Sequence, residues 1–248
     1  MTAAPHSSAL RPDAAPAWLA PLVRACDGLG PDDVPFRGRA QDTGREAAVL
    51  VLFADGPDGP DLLLTERAAA LRSHAGQAAF PGGGNDPGDA DLVGTALREA
   101  AEETGLDPAT VVPLALLPPL TIPVSGFAVT PVLAWWERPG PVGVVDPGEV
   151  ASVVRVPVAA LADPARRFRV TGPSGYVGPA FGVAGLLVWG FTAGVVSWVL
   201  DLGGWTEPWD ATDVRDLDEA WRNRHRTADG RVDATGRSGG DGVTGAGR

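Results

Sequence analysis

The stretch "FPGGGNDPGDADLVGTALREAAEETGL", Phe80 to Leu106, runs from three consecutive glycines through a polar turn into a segment carrying Arg98, Glu99, Glu102 and Glu103. The pattern predicts a helix from about Ala90 to Thr104. Successive residues of an α-helix turn by about 100°, so Glu103 lies about 40° to one side of Glu99 and Glu102 about 60° to the other. The three carboxylates share one arc, while Leu92, Val93, Ala96, Leu97 and Ala100 form an apolar stripe suited to packing on a sheet. Like charges at this spacing repel by several tenths of a kcal/mol per pair. Taken alone, the acids have two readings: a solvated face, or a site for a hard divalent cation. Mg²⁺ or Mn²⁺ would reverse the sign of the repulsion, because it takes oxygen ligands and keeps positions open for phosphate oxygens. Gly82 and Gly83 would let a backbone carbonyl approach the same ion.

Outward from this stretch the signals alternate between strand and helix. "REAAVLVLFADG" contains a buried strand, Ala47 to Phe53, and "DLLLTER" its partner across a "GPDGP" turn, so a hairpin is expected. "QAAFPGG" gives a short strand entering the glycine turn. Strands follow at Val111 to Leu117 and Phe127 to Trp136. "VASVVRVPVAAL" adds another, with Pro157 opening a short helix. "AWLAPLVRAC", Ala17 to Cys26, has helical spacing, as does "GFTAGVVSWVLDL", with Phe191, Val195, Trp198, Val199 and Leu202 on one face. Strands in non-repeating order with a few helices predict an α/β sandwich with a mixed sheet. The expected organisation is a disordered tail over 1–15, a helix and loop over 16–43, the main domain over 44–210, a C-terminal helix over 211–225 and a disordered tail over 226–248.

Composition narrows the function. The chain has 248 residues, enough for a substantial core, and a net charge of −11. That balance argues against a nucleic-acid binder with a broad basic surface, but not against an anionic small ligand. Every cationic side chain of this type is arginine, whose planar fork binds phosphate bidentately. A single cysteine, Cys26, excludes an internal disulfide and suits a reducing compartment; with no secretory signal at the N-terminus, a cytoplasmic location is expected. Val170 to Leu200 has no charged residue, yet Pro173, Pro179 and frequent glycines break it, which favours a buried strand and helix over a membrane span.

"REAAEETGL", Arg98 to Leu106, resembles the core of the Nudix box, Arg-Glu-x-x-Glu-Glu-x-Gly-aliphatic, with Gly82 or Gly83 where the box begins. The box usually has a glutamate eight residues before its arginine; here position 90 is alanine, and Asp89 is the nearest acid. Upstream, "LLTERAAALRSHAGQAAFPGG", Leu63 to Gly83, is similar to the signature of the coenzyme A pyrophosphatase branch. Leu63, Leu64, Thr65, Arg67, Ala68, Arg72, Gly76, Phe80, Pro81, Gly82 and Gly83 match it without a gap. "LLVWGFTAGVV" resembles a Trp-Gly-x-Thr-Ala segment of the same branch, so the likeness runs from about Arg45 to Leu202.

The resemblance implies a Nudix-type α/β/α sandwich. It also implies that Glu99, Glu102 and Glu103 bind Mg²⁺ or Mn²⁺ and that Arg98 orients a carboxylate. Arg67 and Arg72, with Gly82 and Gly83 between them and the helix, are the candidates for substrate phosphates; pairing of these arginines with Glu66 or surface acids is the structural alternative. His74 reads as a hydrogen-bonded loop residue. Glu149 is a candidate general base, or else a solvent-facing turn residue. Trp135, Trp136, Trp189 and Trp198 read as core, with a stacking partner for adenine left open among them. The implied reaction is hydrolysis of coenzyme A or acyl-CoA to 3′,5′-ADP and (acyl-)4′-phosphopantetheine. Hydrolysis of ADP-ribose, NADH or another nucleoside diphosphate derivative is the alternative, and a non-catalytic binding module a third reading. No nucleic-acid or membrane partner is expected, and a homodimer is left open.

Overall fold

In a computed structural model of the chain, the described residues are 9–35, 45–71, 73–121, 126–172 and 175–224. The backbone forms β1 (Glu46–Gly56) and β2 (Gly59–Arg67), a hairpin closed by Pro57 and Asp58 with Gly56 opposite Gly59. Next come β3 (Ala78–Ala79), β4 (Gly82–Gly84), β5 (Val111–Leu116), β6 (Leu120–Thr121), β7 (Ala128–Trp136) and β8 (Val150–Pro157). Among the described residues these eight strands make one sheet, ordered β3-β2-β1-β7-β5, with β4 on β1, β6 on β7 and β8 on β2. β1 and β7 run parallel while β2, β5 and β8 pair antiparallel, so the sheet is mixed, as expected.

Period-2 alternation in β1 sends the two sets of side chains to opposite layers. Ala48, Leu50, Leu52 and Ala54 meet Val93, Ala96 and Ala100 of the helix α2 (Leu92–Thr104). Val51 and Phe53 face a larger core with α1 (Ala20–Cys26), α3 (Val158–Ala162) and α4 (Gly190–Leu202). Helices therefore cover both faces, which is the α/β/α sandwich. Each fully buried aliphatic side chain of this kind contributes roughly 1.5–3 kcal/mol.

The predicted helix over 90–104 begins at 92 because Asp91 is its N-cap, accepting from Gly94 N–H at 2.8 Å. It ends at Gly105, whose φ of 69° closes the last turn in the left-handed region. α1 is shorter than the predicted 17–26, with turns over 17–19. Two boundaries are corrected. Of the expected N-terminal tail, residues 9–15 belong to the folded body: Arg11 N–H donates to Pro113 O at 2.8 Å, and Leu10, Ala14 and Ala15 pack on the cores. The rest of that tail, 1–8, and the tail over 226–248 lie outside the described residues. The expected C-terminal helix over 211–225 is a strand, β12 (Val214–Asp216), followed by a short helix α5 (Leu217–Arg222). The strand forms because Val214 to Asp216 pair in parallel with Arg169 to Thr171, and Asp216 then caps α5 through Glu219 N–H.

β12 belongs to a second sheet that sequence periodicity did not disclose. It comprises β9 (Arg167–Thr171), β10 (Val177–Val183), β11 (Leu186–Val188) and β12, ordered β11-β10-β9-β12. Phe168, Val170, Ala180 and Leu187 meet Leu217 and Ala220 of α5, while Phe181 and Val183 join the core under α4. The uncharged run from Val170 to Leu200 is thus strands and a 13-residue helix. No helix among the described residues is long and apolar enough to cross a membrane.

Candidate functional site

The glycine turn passes directly over the acidic face of α2. β4 pairs with β1, setting Gly82 opposite Val49 and Gly83 opposite Ala48. A Cβ on Gly82 would stand 2.7 Å from Val49 Cα, and one on Gly83 would stand 2.5 and 2.6 Å from the two carboxylate oxygens of Glu99. Backbone leaves no room for a side chain at Gly82, whereas a side chain at Gly83 would have to displace the Glu99 carboxylate. Gly82 N–H donates to Glu103 Oε2 at 3.3 Å. Glu99 and Glu103, one turn apart on α2, are therefore both held against this backbone.

Arg98 ties the turn to the helix. Its Nε and Nη2 donate to Asp89 Oδ1 and Oδ2 at 2.9 and 3.0 Å, its Nη2 also to Gly84 O at 3.1 Å. Its Nη1 donates to Glu99 Oε1 at 2.9 Å and to Glu102 Oε2 at 3.0 Å. Asp89, whose side chain is 6% exposed, also accepts from Thr95 Oγ1 and Asp86 N–H. The hydrogen bond from Arg98, reinforced by Asp86 N–H, holds the Asp89 carboxyl well below the usual carboxylate range. In return Asp89, and then Glu99, raise Arg98 further above its ordinary value. The sequence singled out Asp89 only as the acid nearest the position of the missing box glutamate, nine residues before Arg98, and gave it no role.

The carboxylates differ in solvation. Glu103 is 9% exposed, and burial pushes its pKa up to about 7. The Gly82 N–H and the charge of Arg67 oppose that rise; the charges of Glu99 and Glu149 add to it. Burial likewise raises Glu99, with Arg98 opposing and Glu102 and Asp86 adding to the rise. The Glu102 side chain, 61% exposed, is turned to Arg98 and solvent. Among the described residues no three Asp, Glu, His or Cys side chains close on one point as they stand. The donor set nevertheless fits a hard cation in kind. It consists of oxygens only, and two of its carboxylates are desolvated against a backbone with no room for a side chain.

The remaining predicted residues fall around this centre. Arg67, at the end of β2, lies near enough to Glu103 to act on its charge, and its Nε is buried with no hydrogen-bond partner among the described residues. Its alternative partner Glu66 instead accepts from Ser152 Oγ at 3.1 Å. Arg72 lies outside the described residues. Glu149 is exposed and sits beside the end of β2, where its carbonyl accepts from Ala68 N–H at 2.8 Å. The loop before it is fastened to the end of α2 by Gly143 N–H to Thr104 O at 2.9 Å. That puts a carboxylate distant in sequence close to Glu103. His74 is an exposed turn residue with φ 57°, its Nδ1 2.9 Å from Gln77 Oε1, as expected of a loop histidine. Of the tryptophans, Trp136 and Trp198 are core and Trp189 is partly exposed.

The chain is similar to known proteins. The chain is 45% identical over 133 residues to a protein from Cronobacter sakazakii named uncharacterized Nudix hydrolase NudL, covering 50% of this chain and 64% of that one. A protein of the same name from Salmonella paratyphi B is 45% identical over 123 residues, covering 46% of this chain and 58% of its own. The chain thus spans less than two thirds of these curated relatives. Among solved structures, the Nudix hydrolase RenU from M. smegmatis is 20% identical, with a TM-score of 0.48, covering 66% of this chain and 89% of that one. The NUDIX domain family model matches residues 44–170, which include the glycine turn, all of α2 and Glu149. A match over slightly more than half of the chain, with Arg98 and its carboxylates inside it, makes this chain a member of the NUDIX domain family.

Proposed function

We propose that the protein is a divalent-metal-dependent hydrolase of the pyrophosphate in coenzyme A or acyl-CoA, releasing 3′,5′-ADP and (acyl-)4′-phosphopantetheine. The observation that carries this reading is the ungapped run from Leu63 to Gly83, which ends in the glycine turn against which Glu99 and Glu103 are held. Glu99, Glu102 and Glu103 are the residues that would hold Mg²⁺ or Mn²⁺, Glu102 by leaving Arg98; when bound, such ions supply positive charge beside the pyrophosphate and make water more acidic.

The chain's own residues account for the rest. Arg67, with an unpartnered Nε, and Arg72 bind phosphate oxygens. Arg98 fixes the glycine turn and orients Glu99. Glu149 is the general base that takes a proton from the attacking water. The water oxygen bonds to one phosphorus, the anhydride P–O bond breaks, and its electron pair stays with the departing phosphate.

The test is incubation with CoA and Mg²⁺ or Mn²⁺ followed by product analysis. The expected products from CoA are 3′,5′-ADP and 4′-phosphopantetheine; dephospho-CoA, which would give 5′-AMP instead, should release 4′-phosphopantetheine more slowly. Absence of phosphopantetheine at every divalent concentration overturns the proposal, and faster turnover of ADP-ribose or NADH transfers it to another nucleoside diphosphate derivative.

A further inference from the structure

The matched signature contains Gly76, for which the proposed chemistry has no use. In the structure Gly76 has φ 69°, and a Cβ there would stand 2.9 Å from Cζ2 of Trp221. The α5 helix thus lays an indole on the loop that follows β2, at the one residue without a side chain. That loop is bonded to the phosphate-binding candidate itself: Gly76 N–H donates to Arg67 O and Arg67 N–H to Gln77 O, both at 3.0 Å. Beside the contact is a cavity of about 190 Å³ lined by Ala75, Gln77, Trp189, Leu217, Asp218 and Trp221. Sites for whole drug-sized ligands run to roughly 300–1,000 Å³, so this one suits a single ring system of a larger molecule.

Its chemistry is that of a planar, heteroaromatic guest. Two indoles border it, and Trp189 is braced by the edge of Tyr176 with ring centroids 6.1 Å apart. Gln77 and Asp218, which also line the cleft, can accept from an exocyclic amine. The Arg224 guanidinium, 4.5 Å from the Trp221 ring centroid, adds positive charge to that side. Trp189, Leu217, Asp218 and Trp221 lie beyond the residues that the family model covers.

We infer that this cleft is a base-binding subsite in which the adenine of a nucleotide substrate lies against Trp221 and Trp189, with Arg67 at the adjoining phosphates. The inference rests on the reading that the substrate carries an adenine nucleotide, and it names the residues that read the base.

The test measures binding of 3′,5′-ADP and of its base-free counterpart, ribose 3,5-bisphosphate, to the full chain by calorimetry. Two variants accompany the wild type. Trp221→Leu removes one indole; Ala75→Phe fills the cleft from the loop side and leaves both indoles in place. Stacking of one base on an aromatic side chain corresponds to a preference on the order of tenfold or more for the adenine compound. The wild type is expected to show that preference and each variant to lose it, with ribose 3,5-bisphosphate affinity unchanged. A purely structural role would weaken both ligands together. Should Trp221→Leu fail to fold, Ala75→Phe alone decides. A preference that survives in a folded variant, or a wild type that binds neither ligand or both equally, overturns the subsite. CoA cleavage without any base preference overturns the subsite alone; base-dependent binding without CoA cleavage overturns the proposed reaction alone.

Discussion

Replacing Glu103 by glutamine should make the metal-free protein more stable and the enzyme inactive, and the size of the first effect follows from burial. Gln keeps the volume, and its amide oxygen can still accept from Gly82 N–H. What disappears is a carboxylate whose pKa is about 7 in the fold against an ordinary 4.5. Below pH 4.5 the group is neutral in both folded and unfolded chains and costs nothing. Between 4.5 and 7 the unfolded chain releases the proton and the folded one retains it, so stability falls as pH rises. Above pH 7 the full cost of ionising Glu103 in place is present, on the order of 3 kcal/mol. Urea denaturation in the presence of a chelator, at pH 5 and at pH 8, reads this directly. The stability of Glu103→Gln relative to wild type should rise by on the order of 2–3 kcal/mol between the two pH values. Adding Mg²⁺ or Mn²⁺ at pH 8 should stabilise the wild type and leave the variant unchanged, while the variant's kcat falls by roughly two orders of magnitude or more. A variant that is equally destabilised at both pH values and still turns over would refute the reasoning, since Glu103 would then be neither desolvated nor part of the ion site.

Gly83→Ala should fold but lose on the order of 100-fold in kcat, because the added methyl must displace the Glu99 carboxylate. Retained activity would show that Glu99 can move without consequence. Arg67→Met should lower kcat/KM by about 10- to 100-fold, the worth of one charge-assisted phosphate contact. Its Tm should stay within about 2 °C of wild type, because the Arg67 Nε has no partner to lose; a large drop in Tm would assign Arg67 to structure. Cys26 is buried and desolvation pushes its thiol up to about 12. It should therefore resist a thiol reagent at pH 8 in the native protein and react promptly in denaturant, and rapid native labelling would mean that α1 opens.

What the chain declares by itself is whatever depends on neighbours along the backbone. The stripe of Leu92, Val93, Ala96, Leu97 and Ala100 specifies α2, and helical geometry alone groups Glu99, Glu102 and Glu103 on one arc, while the cap at Asp91 that sets its first residue came from the structure. The β1–β2 hairpin is equally local, as is the ungapped run from Leu63 to Gly83. Tertiary structure decided how those acids divide their tasks. Glu99 and Glu103 meet the glycine backbone while Glu102 turns to Arg98, because β4 is drawn onto β1 and crosses only part of the helix face. It chose Asp89 as the anchor of Arg98, set Glu149 beside Glu103 and laid Trp221 on Gly76. It also assembled the second sheet, whose strands are only three to seven residues long and carry little periodic signal of their own. Contacts between residues far apart in sequence depend on how layers stack and strands register. No local pattern of residues encodes that until the whole core is packed.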